Sequence, residues 1–251
     1  MATSSSACSK KRSPSGEIVS KAKPLSPSNK RLGFKLVVEE NALAIFSAKN
    51  KKASFIIEES PHPRTRAVEG TKKTNQLVVK LPNANELLAV LGNGVVVERL
   101  FEGDKGFAFE TISPEGDLFL LHAEDDVATL KEIEPKSFPQ NGDLAIVSDF
   151  QFEQITLNVA NEAAARAFYD DVFAGEFLVD MRFVQASGPD LTVEPHETWD
   201  LEILECQVPQ DYDLKHLSDF LEQKGQEVYL DKKEKVLVLS DPNRIEIWFT
   251  K

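Results

Sequence analysis

Residues 106–124, GFAFETISPEGDLFLLHAE, hold the pattern that decides the fold. Two apolar runs, each alternating at period two, flank Ser113-Pro114-Glu115-Gly116. Proline presets φ at a turn corner and glycine supplies the backbone freedom to close it, so the stretch predicts a β-hairpin. Residues 236–249, VLVLSDPNRIEIWF, repeat the arrangement around Ser240-Asp241-Pro242-Asn243-Arg244. Each hairpin closes a segment of about fifty residues that opens with a strand and a helix-like run, which is the signature of an internal repeat.

Outward from the first hairpin, QLVVKL (76–81) reads as a strand and ELLAVL (86–91) as a helix. Asn83 or Asn85 can cap that helix, Gly92 and Gly94 end it, and VVVERLFEG follows as a strand. Upstream, LGFKLVVEE, NALAIFSAK and KASFIIEES predict three strands from Leu32 onward. Downstream, 125–149 has the prolines, glycine and scattered charge of a linker with room for one short element. A new unit then opens with EQITLNV, and Asn161 caps the helix EAAARAFYDDVF, with Ala164, Phe168 and Val172 on one face. Its tail, SGPDLTVEPHET, is turn-rich and leaves space for fewer strands. The last unit runs DLEILECQV, DLKHLSDFLEQKG, QEVYL, VLVLS, IEIWF. The predicted class is α+β, built from repeated βαβββ modules with the first module truncated. The expected organisation is a disordered tail or aberrant start (1–31), an amino-terminal domain (32–124), a linker (125–149) and a carboxy-terminal domain (150–251).

The 251 residues carry a formal charge of −12, unevenly placed. Residues 1–31 hold seven basic side chains and one acid, so the remainder has 22 basic and 40 acidic groups. An acidic body argues against nucleic-acid binding, which needs clustered Lys and Arg against phosphate. No apolar run is long enough to span a membrane, and no secretory signal pattern is present, so the expected location is cytoplasmic, with the cell surface or release as the alternative. Cys8 and Cys206 form neither a disulfide framework nor a zinc spacing.

A strand, a helix and three strands repeated in pairs resembles the vicinal-oxygen-chelate superfamily of glyoxalases, extradiol dioxygenases and bleomycin-resistance proteins. EQITLNVANEAAARAFYDDVF is similar to its first strand and Phe-Tyr helix, RLGFKLVVEE to its Leu-Gly-Phe strand, and ISPEGDLFLL and SDPNRIEIWF to its final turn and strand. Within it, LGFKLVVEENALAIFS, FIIEESPHPRTRAVEG and FETISPEGDLFLLHAEDD resemble the streptococcal complement-degrading proteinase (CppA) family over roughly the whole chain from Leu32. That resemblance implies two glyoxalase-like domains and proteolysis of a host complement protein. It also implies a strand and helix ahead of Leu-Gly-Phe where residues 1–31 stand, leaving the first bowl with an open edge.

The superfamily places a His or Gln on the first strand of a module and a Glu on the last. Aligned so, Gln76 and Gln154 fall on first strands, and Leu120 occupies the Glu position of the second module, with His122 two residues on. Glu246 fits the fourth module if its closing turn is two residues shorter. One bowl then offers Gln76, His122 and Glu58 to a divalent metal, and the other Gln154 and Glu246, a degenerate set because a neutral amide is a poor ligand. Protease machinery is missing: His196-Glu197-Thr198-Trp199-Asp200 lacks the second His of a metalloprotease helix, no nucleophile elbow occurs, and Cys206 sits in an apolar strand. His62 and His216 read as surface residues. Arg64, Arg66, Lys72 and Lys73 form a basic loop suited to a small anionic ligand or an acidic partner. The expected function is therefore a proteinase-like scaffold that binds a ligand or protein partner, as a monomer or homodimer, with a metal-dependent lyase or dioxygenase as the alternative.

Overall fold

The computed structural model describes residues 16–22, 32–40, 43–59, 64–140, 146–173 and 177–251. The first module contributes β1 (Gly16–Ala22), β2 (Lys35–Glu40), β3 (Leu43–Ser47) and β4 (Ser54–Glu59). The second contributes β5 (Thr74–Lys80), α1 (Ala84–Gly92), β6 (Arg99–Glu102), β7 (Phe107–Ile112) and β8 (Leu118–His122), and the linker adds β9 (Lys131–Ile133). The third is β10 (Gln151–Val159), α2 (Glu162–Phe173) and β11 (Asp180–Gln185). The fourth is β12 (Leu201–Gln207), α3 (Leu214–Gln223), β13 (Val228–Leu230), β14 (Val236–Ser240) and β15 (Glu246–Thr250).

Local chemistry sets the helix starts. Asn83, Asn161 and Asp213 each accept a hydrogen bond from a backbone N–H of the first turn, at 2.9–3.0 Å. The buried stripe of α2 is Ala165, Phe168, Tyr169 and Val172, so the face expected from Ala164 is rotated by one residue. Among the described residues no helix is long and apolar enough to cross a membrane.

The strands assemble into two sheets, ordered β13-β14-β15-β12-β1-β4-β3-β2 and β11-β10-β5-β8-β7-β6-β9. Neither sheet belongs to one half of the chain. The first and fourth modules share the eight-stranded sheet, and the second and third share the other, joined along β5 and β10. This corrects the expected grouping of candidate ligands, because a bowl closed within each half would pair different modules.

A second correction concerns residues 16–22, which the sequence assigns to a disordered or aberrant leader. They form β1, which runs parallel to β4 and antiparallel to β12. The expected open edge is thus filled, and it is filled at the seam between the two halves. GEIVSKA is short and only weakly apolar, but in the middle of a sheet both of its backbone edges find partners. The other residues of that leader, Cys8 included, lie outside the described ones.

The modules keep one internal order. In three of them the first strand lies parallel to the last, as β1 to β4, β5 to β8 and β12 to β15. The third module is reduced to a β-α-β unit in which β11 itself lies parallel to β10. Alternate residues of both sheets face a single hydrophobic core, which includes Phe46, Phe55 and Ile57 from one sheet and Leu77, Phe109, Phe119 and Leu121 from the other. The rings of Phe55 and Phe119 meet edge to face at 5.5 Å, tying β4 to β8 across the sheets.

Candidate functional site

The period of two turns the other residues of each sheet away from the core. On the seven-stranded sheet, strand registers align two rows on that open face. One runs Arg99, Glu110, Leu120, Val78, Gln154, Asp180, and the next Ile112, Leu118, Gln76, Thr156, Arg182. The polar members bind one another. Gln76 Nε2 donates to Glu110 Oε1 at 2.9 Å, Arg99 Nη1 lies 3.4 Å from Glu110 Oε2, and Arg99 Nη2 reaches Glu132 Oε2 at 2.6 Å. Gln154 Nε2 donates to Thr156 Oγ1 at 3.1 Å, and Arg182 Nε to Asp180 Oδ2 at 3.0 Å.

The two closing turns have one geometry. Ser113 N donates to Asp117 O, and Asp241 N to Ile245 O; Gly116 N donates to Ser113 O, and Arg244 N to Asp241 O. Gly116 and Arg244 both have positive φ, 85° and 63°. The turn before β15 is therefore not two residues shorter, which corrects the placement of Glu246. Glu246 matches Leu118, and Leu120 is matched by Trp248. Glu246 still faces away from the core, but on the eight-stranded sheet, where Trp248 Nε1 donates to its Oε2 at 2.7 Å. Glu58 lies on β4 of that same sheet.

The metal candidates thus divide as Gln76, His122 and Gln154 on one sheet and Glu58 and Glu246 on the other. His122 is fully buried, its Nε2 2.9 Å from Glu153 Oε2. That contact lacks hydrogen-bond alignment, and Nδ1 has no hydrogen-bond partner. Burial pushes the imidazole below its ordinary value, against the pull of Glu153 and with the help of Lys80. Among the described residues no three His, Cys, Asp or Glu gather to hold a metal ion. The amide of Gln76 is engaged by Glu110, and Leu and Trp occupy the final-strand positions, so the residues present do not fit the ligand set of the superfamily.

The basic loop faces inward more than the sequence suggests. Arg66 makes a bidentate pair with the buried Asp190, Nη1 to Oδ2 and Nη2 to Oδ1, both 2.7 Å, which holds that carboxyl below its usual range. Its backbone bridges to the 196–199 segment through Arg66 N to Glu197 O and Trp199 N to Arg66 O. Lys72 Nζ donates to Asp117 Oδ1 at 2.5 Å and to Glu115 O at 2.9 Å. Lys73 is buried, with Nζ donating to Val193 O at 3.0 Å and its N–H to Asp200 Oδ2 at 2.6 Å. Burial lowers the Lys73 ammonium, opposed by Asp200, Asp241, Glu202 and Glu194. Arg64 is exposed.

Asp190, Asp117, Asp200 and Glu110, which sequence reasoning passed over, decide what the cations and amides do. Their signal is weak because three of these acids lie 45 to 127 residues from the basic residue they bind. Of the protease candidates, Cys206 is buried in β12, His196 lies on an exposed loop at φ 73°, and His216 is exposed on α3. His62 lies outside the described residues.

Paired strand-helix-strand modules with sheets shared between the halves define a glyoxalase-like α+β fold. Glyoxalase I from Zea mays is similar in fold, with a TM-score of 0.53 at 12% identity over 95% of this chain and 93% of that one. Residues 21–133 match CppA N-terminal and 147–249 match CppA C-terminal, and the chain belongs to the CppA family. It is similar to the cppA protein from Streptococcus pneumoniae TIGR4, with a TM-score of 0.76 and 30% identity over 94% of this chain and 97% of that one. No curated protein sequence matches it.

Proposed function

We propose that the protein is a binding scaffold that holds a protein partner or small ligand and does not itself cut peptide bonds. The observation that carries this reading is the chemistry at the positions where a glyoxalase-type sheet gathers its ligands. Leu118 and Leu120 stand on the final strand, and Gln76, Glu110 and Arg99 hydrogen-bond or ion-pair with one another. Such a face offers shape and hydrogen-bonding edges but no activated nucleophile and no Lewis-acid cage. The CppA resemblance suggests a host complement protein as the partner.

The test is to incubate purified protein with a complement protein, contaminating proteases inhibited, and to follow both association and fragmentation. Association without fragments is expected. Cleavage by the wild type that disappears in Cys206→Ala or His122→Ala would overturn the reading. Elemental analysis addresses the metal-dependent alternative: stoichiometric Ni, Zn, Fe or Mn lost on Gln154→Ala or Glu246→Ala would favour a lyase or dioxygenase.

A further inference from the structure

Three modules cover the outer edge of their last strand with a hairpin, β3-β2 beside β4, β7-β6 beside β8 and β14-β13 beside β15. The third module has no such hairpin among the described residues. After β11 the chain leaves the sheet, and Thr198 bridges to Arg66 instead. The outer edge of β11 therefore has no strand partner among the described residues.

The other edges differ. β9 and β13 are three residues long, and β2 carries a register shift between Leu36 and Val38, which breaks an edge as a template. β11 is six residues long, and Val184 near its end is 44% exposed. Together with its lead-in, it reads Leu178-Val179-Asp180-Met181-Arg182-Phe183-Val184.

That sequence is complementary to itself. Placed antiparallel about a two-fold axis at Met181, Asp180 meets Arg182 twice and Met181 meets Met181. Val179 meets Phe183, and Leu178 meets Val184. Sides are preserved, since every pair joins residues of one parity. Sliding the axis to Arg182 would instead oppose two guanidinium groups and set Asp180 against Val184.

We propose that β11 of one copy pairs antiparallel with β11 of a second copy in this register, joining two seven-stranded sheets into one. The interface is isologous, as a two-fold contact requires. Asp180 and Arg182, which bind each other within one strand at 3.0 Å, exchange partners across the axis. Leu178 and Val179, now in a bend before β11, extend along the partner strand. Neither ligand binding nor the proteolysis question enters this inference, so its failure leaves the proposed function untouched.

The mass of the full chain in solution, by sedimentation or light scattering, tests it. The wild type is expected at twice the 28.0 kDa chain mass. Asp180→Arg places Arg opposite Arg, and Arg182→Asp places Asp opposite Asp. Each is expected to weaken self-association at least about tenfold. Mixed in equal amounts, the two variants regain association as a heterodimer, and the double variant regains it with itself. Circular dichroism checks that both single variants stay folded. Met181→Cys, which leaves the charges in place, is expected to cross-link to itself under oxidation. A wild type that stays monomeric at about 100 µM, a dimer indifferent to both reversals, or a mixture that fails to associate would overturn the proposal.

Discussion

His122 shows how a residue chosen for one chemistry is held for another. The sequence places it near a metal position, and the structure buries it beside Glu153 at the end of β8. Its folded pKa lies below the ordinary value, so below about pH 6.5 the unfolded chain takes up a proton that the folded imidazole resists. Stability is expected to fall as pH drops through that range. Melting temperatures of wild type and His122→Gln between pH 7.5 and about 5.5 check it, with a shallower slope expected for the variant. The Asp190 carboxyl carries the opposite shift. Arg66 lowers its pKa, so the pair stabilises the fold above about pH 4, the unfolded value, and stops doing so as pH falls through the folded one. Arg66→Met is expected to lower the melting temperature at neutral pH, with the gap to wild type closing in acid.

At the scale of elements, the two closing turns share hydrogen bonds but not residues. Gly116 takes a left-handed conformation at no steric cost, whereas Arg244 pays one at the same position. Arg244→Gly is expected to stabilise the protein by about 0.5–1 kcal/mol and Gly116→Ala to destabilise it by about 1 kcal/mol, read from urea midpoints. Asp241, fully buried, accepts from the backbone of Asn243 and Ile245 at 2.8 and 2.9 Å. Asp241→Ala leaves those donors without an acceptor and is expected to cost about 3 kcal/mol in the same measurement.

At the scale of the whole molecule, the described residues form one contiguous core and two sheets that each draw strands from both halves. Separate unfolding of the halves would expose both sheets along β1-β12 and β5-β10 at once. A single calorimetric transition is therefore expected, and two resolved peaks would contradict it. Phe119→Ala removes a fully buried ring from the contact between sheets. It is expected to cost about 3–5 kcal/mol and to lower the midpoint while leaving one transition.

The hairpin at 106–124 and its echo at 236–249 were enough to establish the repeated module, because period-two alternation and turn residues act within ten positions of each other. The capped helices and the reduced third module were legible for the same reason. The strand at Gly16–Ala22 was not, since its seven residues become a strand only between β12 and β4, partners 37 residues away or more. The same holds for the sites. Sequence located Gln76, Gln154, Leu120 and the basic loop, but tertiary structure alone decided that Arg66 and Lys72 answer Asp190 and Asp117, that Glu246 belongs to the other sheet, and that Glu110 engages the Gln76 amide. Local propensity needs only neighbours in the chain, whereas a charge or an amide takes its role from whichever group the fold brings within hydrogen-bonding reach.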